Sequence, residues 1–218
     1  MRIRYQTFEF GATDIHMRTL RDRQQYADDE SIAEKLGVSS ASWPLFGVVW
    51  PSGEFLAQLM HDYDIDGKRI LEVGCGMALP SLVLNHRGAD ITATDYNPEA
   101  ASFLSKNVEL NDGAEIKFVR AGWGDDIEGL GTFDLIIGSD LLYEPDHAVI
   151  LSAFIQQHAN AKCEVIIVDP GRGLYPRFSI NMVNLGYDYI QQKPTGKDHL
   201  DNAFKGQVLT YHRSSAQS

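Results

Sequence analysis

The sequence is poor in cysteine and in long apolar runs. Its two cysteines, Cys75 and Cys163, offer neither a disulfide framework nor paired metal ligands, so we expect a reducing, cytoplasmic setting and no bound metal. The apolar runs, such as that at residues 165–168, have the length of a strand and fall far below the roughly 18 residues of a membrane span. The first ten residues lack the apolar core of a secretory signal, so we expect folded, mature sequence there and no membrane partner.

Positive charge is also scarce. The formal net charge is −11, from 19 Lys and Arg against 30 Asp and Glu. Nucleic-acid binding depends largely on Lys and Arg that neutralise phosphates, so this balance disfavours a nucleic-acid partner. Residues 121–161 contain no Lys or Arg at all. An ordinary acidic surface explains this stretch, and so does an acidic field that steers a cationic acceptor such as an amine.

The chain from residue 69 onward alternates short β-branched runs with helical patterns, which is typical of βαβ units and a parallel sheet. The patterns predict strands near 69–74, 90–95, 115–121, 133–139 and 164–169, and helices near 79–87, 98–110, 146–158 and 174–185. Two further strand-like runs, 187–192 and 207–212, flank a polar segment and predict an antiparallel terminal hairpin. The expected fold is a single α/β domain with a Rossmann-like, doubly wound sheet of seven strands.

The first 50 residues do not follow this rhythm. Arg2–Phe10 and Asp14–Leu20 predict a β-hairpin around Gly11, and Asp28–Leu36 predicts an acidic helix. We expect residues 1–50 to be a lid or substrate-side extension of the same domain, with the core at 51–213 and a frayed tail at 214–218.

A glycine-rich turn follows the first core strand in Leu71-Glu-Val-Gly-Cys-Gly76. Gly74 permits a tight turn, and Gly76 lets the backbone approach a ligand closely. The same two glycines also fit a βα turn that binds nothing. Asp95 ends the next strand, where a carboxylate can accept both hydroxyls of a ribose. Together these residues predict a nucleoside-containing ligand.

Two neighbouring residues separate the possible nucleosides. A dinucleotide fingerprint that starts at Gly74 needs a small residue at position 79, and this chain has Leu79. Glu72 would repel a diphosphate but suits the ammonium of a methionine moiety. Trp123 follows the third core strand, where an indole either stacks on a purine or anchors the sheet edge. The residues therefore favour S-adenosylmethionine over a nicotinamide dinucleotide.

Five segments resemble the seven-strand protein-lysine methyltransferases, in particular the subgroup of the electron-transfer-flavoprotein β-subunit lysine methyltransferase, often labelled nicotinamide N-methyltransferase-like. The resemblance covers about residues 45–212, and it departs at Ala78, where the family usually has glycine, and in the first 45 residues. The matching segments are Val49-Trp50-Pro51, Leu71-Glu-Val-Gly-Cys-Gly76, Ala121-Gly-Trp-Gly124, Ser139-Asp-Leu-Leu-Tyr143 and Asp169-Pro-Gly-Arg172.

The resemblance implies a class I methyltransferase fold, an S-adenosylmethionine cofactor and a set of residues that bind it. These candidate cofactor-binding residues are Trp50, Glu72, Gly74, Cys75, Gly76, Asp95, Tyr96, Asn97, Trp123 and Ser139.

Asp140 and Tyr143 are the candidate catalytic residues. They follow the fourth core strand, at the sheet edge where open α/β folds place their ligands, and they match the Asp-x-x-Tyr motif of the family. Asp140 is expected to orient a lysine amine and accept its proton, while Tyr143 lines the methyl-transfer channel. Tyr143 and Trp50 can also present ring faces to a cation. A helix cap for Asp140 and a core position for Tyr143 are the alternatives.

Two further residues near the acceptor side have ordinary alternatives. Arg172 either pairs with an acid in the acceptor pocket or belongs to a simple strand-ending turn, and we expect His147 to be a surface or helix-capping residue. The expected function is methyl transfer to a lysine of a protein substrate. A small-molecule amine methyltransferase and a non-catalytic S-adenosylmethionine-binding module remain alternatives, and the sequence does not indicate an oligomeric state.

Overall fold

A computed structural model describes residues 2–21, 43–125, 127–194 and 204–213. The predicted helix at Asp28–Leu36 and the tail at 214–218 lie outside the described residues. The described elements are, in chain order, β1 (Ile3–Phe10), β2 (Thr13–Leu20), a short 3-10 helix (Trp43–Gly47), α1 (Pro51–Asp62), β3 (Arg69–Val73), α2 (Leu79–His86), β4 (Asp90–Asp95), α3 (Glu99–Leu110), β5 (Lys117–Arg120), β6 (Phe133–Ser139), α4 (His147–His158), β7 (Ala159–Asp169), α5 (Tyr175–Asn184), β8 (Asp188–Gln192) and β9 (Gln207–Arg213).

Seven strands form the main sheet in the order β5-β4-β3-β6-β7-β9-β8. The strands β3 to β7 pair in parallel, whereas β9 is antiparallel to both β7 and β8. The predicted seven-strand sheet and its antiparallel terminal hairpin are therefore confirmed. The strand order reverses between β3 and β6, so the carboxyl ends of β3, β4 and β6 border a crevice of the kind in which open α/β sheets bind ligands.

Side-chain alternation along the strands builds a hydrophobic core on each face of the sheet. In β6, Leu135 and Ile137 belong to the core under α1, α2 and α3, while Ile136 belongs to the core under α4 and α5. All three side chains are fully buried. Successive residues of a strand point to opposite faces, so a strand covered by helices on both sides reads as a continuous apolar run. The sheet is doubly wound, as expected.

The predicted N-terminal hairpin is present as a separate two-stranded sheet, with β1 paired to β2 from Ile3↔Leu20 to Phe10↔Thr13. It packs against α3 through side chains that bind its backbone. Asn107 Oδ1 accepts a hydrogen bond from Arg18 N–H at 2.7 Å, and Asn111 Oδ1 accepts one from His16 N–H at 2.7 Å. An isolated hairpin is marginally stable, so this docking on a helix stabilises it.

The strand β7 begins at Ala159 rather than near residue 164. Its first residues include Asn160 and Lys162, which interrupt the apolar pattern, so the sequence shows no strand there. Backbone pairing of Ala159 with Phe133 and a 2.6 Å hydrogen bond from Asn160 Nδ2 to Asp134 Oδ1 hold this segment at the sheet. Within the described residues, no helix combines the length and the apolar character needed to cross a membrane.

Candidate active site

A pocket of about 720 Å³ opens at the carboxyl ends of β3, β4 and β6. Its size suits a small-molecule ligand. The twelve candidate residues identified from the sequence all line this one pocket. These residues are Trp50, Glu72, Gly74, Cys75, Gly76, Asp95, Tyr96, Asn97, Trp123, Ser139, Asp140 and Tyr143.

The glycine-rich loop between β3 and α2 requires glycine for conformation and for space. Gly74 and Gly76 have φ of 60° and 52°. A Cβ at Gly74 would lie 2.6 Å from Leu141 Cδ2, and one at Gly76 would lie 3.2 Å from the Phe46 carbonyl oxygen. Ala78 is also left-handed, with φ of 57°, a conformation that favours glycine, which the family resemblance leads us to expect there.

Asp95 ties this loop to the end of β4. Its Oδ2 accepts a hydrogen bond from Gly76 N–H at 2.7 Å, and its Oδ1 accepts one from Asn97 N–H at 2.8 Å. Burial raises the pKa of the carboxyl, and these backbone donors oppose that rise. Each carboxylate oxygen has a second lone pair, so the group can still accept the hydroxyls of a ribose. Asn97 Oδ1 in turn accepts a hydrogen bond from the N–H of Glu99, the first residue of α3, at 2.9 Å.

Glu72 lies beneath the glycine-rich loop and is only 1% exposed. It accepts hydrogen bonds from Ser81 N–H at 3.0 Å and from the Ser81 hydroxyl. Burial raises the pKa of Glu72 to about 8, despite those two donors. A buried carboxyl beside a pocket is well suited to a cationic ligand group and poorly suited to a diphosphate. The site thus fits a ligand that carries an ammonium and a ribose, as S-adenosylmethionine does.

Three aromatic side chains that line the pocket, Trp123, Tyr143 and His147, form one contact cluster. His147 packs edge-on against Trp123 and Tyr143, at centroid distances of 5.1 and 4.4 Å. His147 Nδ1 lies 2.7 Å from the Leu141 carbonyl oxygen, which fixes the ring orientation. The expectation of a surface or helix-capping His147 is wrong, because the residue is 9% exposed, lines the pocket and directs its ring nitrogen to the Leu141 carbonyl rather than to a helix end. Burial raises the pKa of Tyr143 to about 12, so its hydroxyl stays protonated.

Asp140 and Arg172, which follow β6 and β7, form an ion pair in the wall of the pocket. Arg172 Nε donates to Asp140 Oδ1 at 2.7 Å, and Arg172 Nη2 donates to Asp140 Oδ2 at 2.9 Å. Asp140 adopts a left-handed conformation with φ of 54°, and its N–H donates to the Val168 carbonyl at 2.9 Å. Strained backbone of this kind clusters at functional sites. Of the two alternatives for Arg172, the structure shows pairing with an acid, while a role of this pair in binding an acceptor stays a prediction.

Among the described residues of the N-terminal extension, the segment at 45–50 reaches the pocket. Trp50 Nε1 donates to the Leu45 carbonyl at 2.9 Å, and Phe46 packs edge-on against Phe103 of α3 at 5.6 Å. No described residue of the β1–β2 hairpin lines the pocket. A lid or substrate-side role for the extension stays a prediction, which within the described residues concerns this short segment.

Other pocket residues escaped the sequence reasoning. Phe46 and Ile150 line the pocket, yet an apolar residue in a loop and another on a helix carry no signal of ligand contact. Glu144, Asp146 and His147 place one potential metal-ligand atom each within 4.8 Å of one another. Both acids are exposed and His147 Nδ1 already contacts a carbonyl, so we assign no metal role to this group.

Comparison with known proteins finds a matching family model, sequence relatives and solved structures of similar fold. A family model described as lysine methyltransferase matches residues 30–173. The mouse histone-arginine methyltransferase METTL23 is 29% identical over 125 residues, which are 53% of this chain and 49% of that protein. The zebrafish (Danio rerio) electron transfer flavoprotein beta subunit lysine methyltransferase is 30% identical over 142 residues, 63% of this chain and 54% of that protein. The calmodulin-lysine N-methyltransferase of Arabidopsis thaliana is 28% identical over 195 residues, 83% of this chain and 62% of that protein.

These matches span about half to two thirds of the length of the curated relatives. Among solved structures, a TehB-like SAM-dependent methyltransferase from Corynebacterium glutamicum aligns with a TM-score of 0.61 and 17% identity, over 88% of this chain and 98% of that one. The magnesium protoporphyrin IX methyltransferase of Synechocystis, solved with bound SAM, aligns with a TM-score of 0.60 and 18% identity, over 87% and 99%. At these identities the structural likeness shows the fold.

Proposed function

The chain belongs to the lysine methyltransferase family, and we propose that it transfers the methyl group of S-adenosylmethionine to a lysine side chain of a protein. One observation carries the proposal. A single pocket brings a cradle suited to a nucleoside and an ammonium together with an acid and an aromatic residue, Asp140 and Tyr143. A module that merely binds the cofactor has no need of Asp140 and Tyr143.

The pocket residues divide the work of binding and alignment. S-adenosylmethionine, when bound, supplies a methyl group on a positively charged sulfur. Asp95 would accept the ribose hydroxyls, Glu72 would bind the ammonium, and Trp123 would contact the adenine. At the other end, Asp140 would accept a hydrogen bond from the lysine amine while Tyr143 borders its path. Alignment of two reactants contributes up to about 7–11 kcal/mol in well-oriented systems, so these residues act mainly by positioning.

The choice of lysine rests on the family and on the Asp140-Tyr143 pair. The curated relatives carry names that refer to lysine, to histone arginine and, for a Dictyostelium discoideum relative 34% identical over 107 residues, to histidine. All three are nitrogen acceptors on proteins. We therefore propose a protein substrate. A reducing cytoplasmic location is also part of the proposal, supported by two cysteines that are both buried and unbridged.

The test is transfer of radioactive methyl groups from S-adenosylmethionine to a cell extract of the source organism. We expect label in one or a few discrete protein bands. Label confined to small molecules would replace the protein acceptor by a small amine. An unlabelled extract, together with measurable cofactor binding, would contradict the enzyme and leave a binding module.

A further inference from the structure

Arg172 places a fixed positive charge at the acceptor end of the pocket. Its guanidinium donates hydrogen bonds to both carboxylate oxygens of Asp140, from Nε at 2.7 Å and from Nη2 at 2.9 Å. The Asp140 side chain is 10% exposed and that of Arg172 is 45% exposed, so the pair lies at the pocket rim with the carboxylate inward. Within the described part of the chain, Arg172 is the one Lys or Arg that lines the pocket.

The loop that carries Arg172 is anchored from below. Gly171 N–H donates to Asp169 Oδ1 at 2.8 Å, and Gln207 Nε2 donates to the same oxygen at 3.2 Å. Asp169 is fully buried at the end of β7. Gly171 and Gly173, with φ of 93° and 86°, turn the chain on either side of Arg172. The loop therefore holds the guanidinium at the carboxylate, as a built feature of the sheet edge.

The ionisable groups around this pair are mostly acidic. Asp140, Asp169 and Tyr143 face Arg172, and Asp95 and Glu144 act with Asp140 on Tyr143. Without Arg172, every described Lys, Arg, Asp or Glu residue that lines the pocket would be an acid. A carboxylate next to a lysine favours the charged ammonium, whereas a nearby cation favours the neutral amine.

Methyl transfer needs the neutral amine. The nitrogen lone pair forms the new N–C bond as the S–C bond breaks, and the positive charge passes from sulfur to nitrogen. A free lysine has a pKa of about 10.4 and is almost entirely ammonium at neutral pH, so its proton must first leave to solvent. An ammonium has no lone pair with which to attack.

We propose that Arg172 neutralises Asp140, so that the acceptor site binds lysine as the uncharged, nucleophilic amine. Asp140 still offers lone pairs that can accept an amine hydrogen and orient the nitrogen. Asp140 thus acts through hydrogen bonding rather than through net charge. The inference rests on the proposed function, because it assumes that the pocket receives an amine.

The test compares the affinities of a cation and a neutral molecule of the same shape, n-butylammonium and 1-butanol. Binding is measured at pH 7 and constant ionic strength by tryptophan fluorescence, in protein saturated with S-adenosylhomocysteine. In Arg172→Gln, we expect the ratio of butylammonium affinity to butanol affinity to rise about tenfold, because Asp140 is no longer neutralised. In Arg172→Lys, which keeps the charge, the ratio should stay within about threefold of the original.

The two failures are distinguishable. An unchanged or lower ratio in Arg172→Gln, with amine binding retained, would overturn the role of Arg172 alone. If neither probe binds any of the three proteins while S-adenosylhomocysteine does, the pocket is no amine site, and both this inference and the proposed function are contradicted. Affinity for S-adenosylhomocysteine and the thermal unfolding midpoint serve as controls for correct folding of each variant.

Discussion

Glu72 is protonated at neutral pH in the ligand-free protein, because burial raises its pKa to about 8 from an ordinary value of 4.5. The unfolded chain releases this proton near pH 4.5, whereas the folded protein keeps it up to about pH 8. The unfolded state therefore gains stability relative to the folded state as the pH rises between these values. Glu72 lowers the free energy of unfolding across this window, and the loss is complete above pH 8.

The first prediction follows from this protonation. Glu72→Gln should raise the free energy of unfolding of the ligand-free protein, and the gain should grow from pH 5 to pH 8. Its upper bound is about 5 kcal/mol, at about 1.4 kcal/mol per pKa unit. The same variant should bind S-adenosylmethionine at least about tenfold more weakly, because the neutral amide cannot form an ion pair with the ammonium. Urea unfolding at several pH values and cofactor titration measure the two effects. A gain independent of pH would contradict the protonation, and unchanged affinity would contradict the contact.

Substitution of Asp95 should impair cofactor binding, whereas substitution of Asp140 should impair turnover. Asparagine is the matched substitution for both residues. Asparagine also tolerates the left-handed backbone of residue 140 better than alanine does. Asp95→Asn should weaken cofactor binding at least about tenfold, because a charged acceptor of ribose hydroxyls is lost. Asp140→Asn should leave cofactor affinity within about twofold and lower turnover at least about 100-fold, because the bidentate pair with Arg172 is lost, which leaves an uncompensated cation beside the acceptor and misaligns the nitrogen. Calorimetric titration and methyl-transfer rates on the labelled acceptor separate the two, and the opposite pattern would reverse the assignment.

At the scale of elements, the hairpin–α3 contact offers a stability test. Asn107 is fully buried, and it binds both the N–H and the carbonyl of Arg18, at 2.7 and 3.3 Å. Asn111, the first residue after α3, makes the same pair of contacts to His16 where water has access. Asn107→Ala leaves the backbone N–H and carbonyl of Arg18 without their hydrogen-bond partner, so it should lower the free energy of unfolding by about 1–3 kcal/mol.

Asn111→Ala is the matched control, since water can replace its hydrogen bonds. Its expected cost is below about 1 kcal/mol. Urea unfolding of the two variants gives both numbers. A cost at position 111 equal to or above that at position 107 would show that hydrogen bonding of buried backbone does not hold the hairpin to α3.

The elements also show what local sequence can predict. The βα rhythm identified the core strands because strands buried on both faces read as apolar runs, and it missed the start of β7 where Asn160 and Lys162 interrupt the run. The glycine loop and Asp95 were identifiable because their roles depend on backbone geometry at strand ends. The contacts of His147 and the partner of Arg172 depend on which strand ends meet in space. Arg172 reaches Asp140 from the end of a neighbouring strand, so the sequence offered an acidic partner only as one of two alternatives and could not identify it.

At the scale of the whole molecule, the charge favours a positively charged partner segment. The net charge is −11, and exposed acids such as Asp125 and Glu144 lie among or beside the pocket-lining residues. Such a field draws in a basic protein segment and raises its association rate at low salt. The fold itself is shared with methyltransferases of unlike substrates, so the acceptor must be argued from the pocket rather than from the sheet.

The most direct test of the account is the chemical identity of the methylated residue. The labelled protein band from the cell extract is hydrolysed completely, and the radioactive amino acid is identified by chromatography against methylated standards. The account predicts that the label elutes as an Nε-methylated lysine, and that Asp140→Asn protein, in which the acceptor nitrogen is misaligned, produces at least about 100-fold less of it. Label in methylarginine or methylhistidine would contradict the lysine acceptor for which the Asp140, Tyr143 and Arg172 site is proposed.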